Sequence, residues 1–485
     1  MNATRREFIG GACSALFGCG LAPDTLFGAD GAPLVRFGAI SDVHLKKPGD
    51  ERTLVRALEY FRDNGADAVL VAGDIADRGL VSQFELFAAT WFRVFPNDRA
   101  PDGRKVERLF IYGNHDLGKR KETMASLTDA TRGDYLYVDD NGKKAWERLF
   151  HEEYRPIWKK EVKGITFIGA HWPGPNRIEA YMAEHGRELD PSLPFFYTQH
   201  QHPAGTCFGD WAWGRDKGES TRALSPYPNA VAISGHSHSS LTDERNFWQG
   251  AFTSFGAASL RYLSRDYLGF ENAPRNSFDP RKAEWLAAHP GPPVMHWLET
   301  VDGRQGMLVD VHRDRLIVRR REFVHGRSLG DDLTLPIPAK ADGPFSYARA
   351  AKARSAPEFA SGAEAKAALV ETAPSCASGA VKKCGPFVHV TFPAARTVAK
   401  CRVFGYEVRA VDAEGRTLVT RRVLAPGFYL GEEDCALPGE CLFLVSELPA
   451  EGTVRFEVRP EECFGRQGRP IVSAEVRCPA KGTGA

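Results

Sequence analysis

The stretch Ala68-Val69-Leu70-Val71-Ala72-Gly73-Asp74-Ile75-Ala76-Asp77-Arg78 reads in two halves: five apolar residues break on a glycine into a run of charge. An unbroken apolar run of this length, closed by a turn residue, predicts a strand buried on both faces. Carboxylates placed directly at its end point to chemistry, because layered α/β domains build their crevices outside the carboxyl ends of strands. The same grammar recurs on either side. Residues 34–41 form an apolar strand that runs into Asp42-Val43-His44, and 109–112 runs into Gly113-Asn114-His115-Asp116. Residues 195–199 run into His200-Gln201-His202-Pro203, and 230–234 into Gly235-His236-Ser237-His238. Between them, 51–63 carries Leu54, Val55, Leu58 and Phe61 at the period of a helix packed on one face, and 83–94 predicts a second helix. A further strand is expected at 165–170, and a hairpin at 307–311 and 316–320. Strands alternating with helices predict an α/β layered domain over about 34–322.

Five strand ends thus bring two Asp, an Asn and several His to one crevice. Two divalent cations held side by side repel, so a carboxylate between them is required, and Asp74 suits that place. Imidazole nitrogens favour Zn, Fe or Mn over Mg or Ca. Glycines beside the ligands permit tight turns and close backbone approach. The fourth motif offers either His200 or His202. His200 is preferred because it follows its strand directly, with His202 as a supporting partner and His171 as a pocket or buried histidine.

These residues resemble the calcineurin-like metallophosphoesterase superfamily, whose ordered pattern is D-x-H, G-D-x-x-D-R, G-N-H-D/E, H and G-H-x-H. The resemblance implies a β-sandwich flanked by helices with two divalent transition metal ions at its edge. It implies that Asp42, His44, Asp74 and His238 hold one ion, and Asp74, Asn114, His200 and His236 the other. His115 would be the catalytic acid or orienting group, held by Asp77, and Arg78 would bind phosphate oxygens. The nucleophile would be a metal-bridging hydroxide acting on a small phosphomonoester or phosphodiester. The purple acid phosphatases are set aside, since Asp77 stands where they carry a tyrosine. The competing reading is a binding protein with an inactive phosphoesterase domain, and the complete ligand set argues against it.

Composition narrows the rest. Of 485 residues, 63 are Lys or Arg and 62 Asp or Glu, a net charge of +1 without a long basic run, so no nucleic-acid scaffold is expected as partner. No uncharged apolar run approaches the roughly 20 residues of a membrane-spanning helix. Arg5-Arg6 precede Phe8 and a short Gly-rich apolar run, resembling a twin-arginine export signal over 1–32. The expected location is periplasmic or extracellular, with a lipid anchor at Cys19 as the lesser reading. Seven of the ten cysteines fall between Cys376 and Cys478, which in an exported protein suggests disulfides. The phosphoesterase domain is assigned to 33–330 and a linker or extended wrap to 331–357. A small all-β sandwich over 358–485 resembles a fibronectin type III-like module. Docking or substrate shaping is expected of that module, with association to the cell envelope through it. Trp211 and Trp213, in a Gly-rich loop after the fourth motif, are candidates for a substrate wall or for core packing.

Overall fold

Sequence alternation becomes two facing sheets. A computed structural model of the chain describes residues 31–173, 177–209, 214–265, 299–301, 303–372, 386–396, 402–431, 436–449 and 451–478. The candidate export signal, Trp211, Trp213, Cys376, Cys384, Cys401 and Cys435 lie outside the described residues. In chain order the first half contains β1 (Val35–Ile40), α1 (Arg52–Asp63), β2 (Ala68–Ala72), α2 (Val81–Val94), β3 (Glu107–Ile111), α3 (Asn114–Leu117), α4 (Lys121–Ser126) and α5 (Asn141–Phe150). It continues with β4 (Ile157–Val162), β5 (Ile165–Ala170), α6 (Ile178–His185), β6 (Phe195–Thr198), α7 (Glu219–Leu224), β7 (Ala230–Ser234), β8 (Phe247–Gln249) and β9 (Thr253–Gly256). Then come β10 (Leu263–Arg265), β11 (Glu299–Val301), β12 (Gln305–Val311), β13 (Arg315–Glu322), β14 (Arg327–Ser328) and β15 (Leu333–Pro336).

The first sheet has the order β14-β13-β12-β1-β2-β3, with β15 also on β13. Its strands β1, β2 and β3 are parallel, and β12 closes on β1 antiparallel. The second sheet runs β4-β5-β6-β7-β9-β8, with β5, β6, β7 and β9 parallel. One apolar cluster fills the space between the sheets, where the Phe37 ring meets Phe167 at 5.3 Å and Phe196 at 5.0 Å. Helices α1, α2 and α5 cover the outer face of the first sheet, burying Leu54, Leu58, Phe61, Phe84, Trp91 and Trp146. Helices α6 and α7 cover the second through Ile178, Met182 and Leu224. The parallel strands therefore point their carboxyl ends to one edge.

The 331–357 stretch is more than a wrap. It contributes β15 to the first sheet and a helix, α8 (Tyr347–Ala353), whose Tyr347 is buried. The C-terminal region is all-β. It comprises β16 (Lys366–Val370), β17 (Phe387–Phe392), β18 (Gly405–Val411), β19 (Thr417–Leu424), β20 (Gly439–Leu444), β21 (Thr453–Glu461), β22 (Ile471–Val472) and β23 (Val476–Arg477). Its two sheets, β16-β17-β20 and β19-β18-β21-β22 with β23 on β21, share an apolar cluster in which Phe443 meets Phe456 at 4.9 Å. Tyr347 packs on Phe464 of this region at 5.7 Å and bonds the Arg245 carbonyl of the first half. Arg245, itself buried on Asp243, lies 4.6 Å from the Phe404 ring. Residues 34–485 accordingly form one compact unit.

Candidate metal centre

Three of the five motif loops, those after β1, β2 and β7, leave their strands through a conformation that L-residues rarely adopt. Asp42 (φ 50°), His44 (47°), Asp74 (52°), His236 (69°) and His238 (55°) all lie in the left-handed region. Such backbone costs roughly 1–3 kcal/mol per residue and persists where surrounding structure enforces it, most often at functional sites. Here the enforcement is visible: loops after β1 and β2 pair through Asp42 N–H to Gly73 O (3.0 Å), His44 N–H to Asp74 O (3.0 Å) and Leu45 N–H to Ile75 O (3.0 Å). Gly73, at φ +96°, has no room for a side chain, since a Cβ would stand 2.5 Å from His200 Nδ1. A Cβ on Gly113 would collide with the Asp74 carboxylate. Asp116 ties the second and third loops together, accepting from Ala76 N–H (2.7 Å), Gly113 N–H (2.7 Å) and Ile75 N–H (3.1 Å).

Six of the seven candidate ligands converge in two groups. Ligand atoms of Asp42, His44 and His238 lie within 4.8 Å of one another, as do those of Asp74, His200 and His236. Asp74 Oδ2 stands 3.1 Å from His200 Nε2 and 3.7 Å from His44 Nε2, between the two groups. His238 Nε2 lies 2.9 Å from Asp42 Oδ1 and 3.2 Å from His44 Nε2. His200 turns Nδ1 to the Ala72 carbonyl (2.7 Å), and His238 turns Nδ1 to the Tyr262 carbonyl (3.0 Å). An Nδ1–H donated to a carbonyl leaves Nε2 as the electron-pair donor facing the cluster. Asn114 Oδ1 is buried without a hydrogen-bond partner, while Asp42 Oδ1 and His200 Nε2 face only carboxylate and imidazole atoms of the cluster. Carboxylate oxygens and imidazole nitrogens gathered in this way, beside a buried amide oxygen whose lack of a partner costs about 1–3 kcal/mol, form a donor set that fits cations.

Electrostatics agree. Burial would raise Asp42, yet His238 and His200 hold it well below the usual carboxylate range. Burial would likewise raise Asp74, which His200 and His44 hold down. Against burial, Asp42, Asp77 and Asp74 push His44 up to about 10, and Asp74 and Asp42 push His200 up to about 9. Burial, with the His200 charge beside it, takes His236 down to about 3. Burial and the Asp74 charge push Asp116 up to about 7.

The catalytic candidates are arranged differently from the expected pairing. His115 is half-buried, with Nε2 4.0 Å from Asp74 Oδ2 and its N–H bonded to Asp74 Oδ1 at 2.7 Å. Asp77 meets His115 Nδ1 through its carbonyl oxygen (2.7 Å), while its carboxylate turns to His44 Nδ1 (3.4 Å) and Lys46 Nζ (3.7 Å). The reason is the loop pairing, in which Asp77 N–H donates to Leu45 O and holds the side chain toward the first loop. Arg120, which carries no motif, reaches both His115 Nδ1 (2.8 Å) and the Asp77 carbonyl (2.9 Å). Arg78 stands 72% exposed at the rim, its Nε 4.0 Å from Asp77 Oδ2.

The other two histidines separate cleanly. His202 spends both ring nitrogens on Ser234 Oγ (2.6 Å) and Ser237 Oγ (2.7 Å), and burial lowers it to about 4. His171 accepts Tyr112 N–H (3.0 Å) in an aromatic pocket of Trp146 and Tyr154. Tyr262, at the end of the loop after β9, was invisible to motif reading. The signal that could have found it is the same strand-end rule applied once more.

Residues 35–240 match the family model described as calcineurin-like phosphoesterase. The chain carries a calcineurin-like metallophosphoesterase domain, that of a hydrolase acting on phosphoric ester bonds. Among solved structures, similarity extends to a dimetal phosphatase from Danio rerio at 12% identity and TM-score 0.34, covering 63% of this chain and 99% of that one. It extends also to GAP50, the anchor in the inner membrane complex of Plasmodium, at 10% identity and TM-score 0.35, covering 63% and 90%. A novel archaeal phosphodiesterase aligns at 13% identity and TM-score 0.23, covering 46% and 84%. No curated protein matches the sequence significantly.

Proposed function

We propose that the chain is an exported phosphoesterase with a dinuclear centre that hydrolyses small phosphomonoesters or phosphodiesters. The observation that carries this reading is the pair of convergent groups, Asp42, His44 and His238 beside Asp74, His200 and His236, with Asp74 within reach of both. Asp42, His44, Asp74 and His238 hold one cation, and Asp74, Asn114, His200 and His236 the other. Nitrogen-rich, partly anionic ligands favour Mn, Fe or Zn. Bound there, such ions supply Lewis acidity toward phosphoryl oxygens and a lowered pKa for water. The chain's own residues do the rest. His115, kept on the neutral side by burial, accepts Arg120 N–H at Nδ1, which leaves its ring proton on Nε2 facing the leaving oxygen as proton donor. Asp77 orients His44 by its carboxylate, and its carbonyl holds the Arg120 guanidinium that orients His115. Arg78 swings from the rim onto phosphate oxygens, where its planar fork fits.

Export rests on Arg5-Arg6 and the apolar run behind them, and places the working enzyme in the periplasm or outside the cell. The C-terminal all-β region is read as a fibronectin type III-like sandwich that shapes the substrate side or docks the enzyme to the envelope. The test is direct: purified protein, loaded in turn with Mn, Fe or Zn, is assayed on a panel of mono- and diesters while metal is counted by elemental analysis. Hydrolysis with about two metals per chain is expected. A loaded protein with one metal or none, or with no turnover on either ester class, overturns it.

A further inference from the structure

One aromatic residue covers this cluster and belongs to none of the motifs. The Tyr262 ring lies 4.3 Å from the His238 ring at 32° and is stacked on His44 at 5.9 Å and 28°. His115 meets the same His44 ring edge-on at 4.5 Å, so two side chains bracket that imidazole. The tyrosine main chain is pinned at both ends. Its carbonyl accepts His238 Nδ1 (3.0 Å), and its N–H donates to Ser259 Oγ (3.3 Å), whose hydroxyl bonds the Asp42 carbonyl (3.0 Å). The ring therefore has one place.

Its hydroxyl is uncommitted. No described residue hydrogen-bonds it, the side chain is only half-buried, and the charges of Asp42, Asp77 and Asp74 all act on it. A phenol held by its main chain, with one face against two ligand rings, offers the crevice an O–H donor. An acceptor in that position must be brought by the substrate, and an ester bound at the cations presents phosphoryl oxygens.

Resting on the phosphoesterase reading above, we infer that Tyr262 is a substrate-contacting residue whose phenol O–H donates to a phosphoryl oxygen. Hydrogen bonds to charged partners are worth enough to shift binding or turnover by about ten- to a hundredfold.

Full-length, metal-loaded protein carrying Tyr262→Phe keeps the stacked ring and loses the donor alone. Titration with inorganic phosphate by calorimetry, together with kcat and KM on an ester the wild type hydrolyses, reads the contact. Expected are unchanged metal content and melting temperature, with phosphate affinity and kcat/KM lowered by about ten- to a hundredfold. Tyr262→Leu, which also removes the ring, should lower metal content in addition. A Tyr262→Phe protein that binds phosphate and turns over like wild type overturns the inference, as does one that loses its metal, since the hydroxyl would then be structural. Wild-type protein that takes up metal and phosphate but hydrolyses no ester overturns the enzymatic reading, while the Phe variant still decides the phosphate contact.

Discussion

His200 and His202 stand two residues apart on one loop, and exchanging each for alanine should separate them by metal content. His202 is fully buried between Ser234 Oγ (2.6 Å) and Ser237 Oγ (2.7 Å), with the Phe208 ring 5.9 Å away. His202→Ala removes two hydrogen bonds, orphans the Ser234 hydroxyl and leaves a ring-sized hole. Summed, these cost about 2–4 kcal/mol of stability. Ser237 lies between His236 and His238, so metal affinity should fall by the roughly 10–100-fold typical of a ligand's supporting partner. Both cations should still load when metal is in excess. His200→Ala removes a donor that faces Asp74 at 3.1 Å and, in the metal-free protein, the positive charge that pairs with the buried Asp74 and Asp42, so it too should cost stability there. Its metal content should drop from two to one. Thermal melting and elemental analysis on the same preparations measure both quantities. A His202→Ala protein that cannot be loaded, beside a His200→Ala protein that holds its full complement, would refute the assignment.

Other outcomes follow from the same geometry. Asp74→Asn should impair both metals together, because Asp74 sits within reach of His44 and of His200, whereas His115→Ala should keep both metals and slow turnover by about 10²–10⁴-fold, read by steady-state kinetics. In protein stripped of metal, the carboxylates hold His44 up to about 10 and His200 up to about 9, so both are charged at neutral pH and must lose protons to bind cations. Metal uptake at pH 7 should therefore release about two protons per chain and tighten as pH rises toward 9, measured by calorimetry in buffers of different ionisation heat. Arg5→Lys with Arg6→Lys should leave the precursor in the cytoplasm, followed by cell fractionation. A chain ending near Leu335 retains every candidate ligand but uncovers Arg245 and Phe208, so it should load two metals while aggregating readily, checked by metal analysis of its soluble fraction.

What sequence reading reaches depends on whether the physics is local. The strands that bear the motifs are unbroken apolar runs, and β1, β2 and β7 are buried nearly end to end, so they were legible within a residue or two. Edge elements were not. Strand β16 reads Lys-Ala-Ala-Leu-Val with most of its side chains exposed, and β14 and β22 span two residues each. Helix α8 was hidden in a stretch read as a linker because prolines flank it, although Tyr-Ala-Arg-Ala-Ala-Lys-Ala is rich in helix formers. The site divides the same way. All seven candidate ligands sit in loops that follow strand ends, but the rotamer of Asp77 and the reach of Arg120 depend on how loops pair across the crevice. Sequence spacing does not encode that.

The loop pairing also explains why the ligands tolerate left-handed backbone. Five such residues at roughly 1–3 kcal/mol each would be a heavy load for free loops. Here Asp42 and His44 donate their N–H groups to Gly73 and Asp74, His236 N–H donates to Asp42 Oδ2 (2.9 Å), and His115 N–H donates to Asp74 Oδ1. Each carboxylate thus uses one oxygen to hold a neighbouring loop and keeps the other, Asp42 Oδ1 or Asp74 Oδ2, turned to the imidazoles. That division of labour makes the two aspartates structural and chemical at once. It also separates their replacements by asparagine from a simple loss of charge, since an amide oriented to accept the loop N–H would turn its NH₂ group toward the histidines, where only an electron-pair donor can serve a cation.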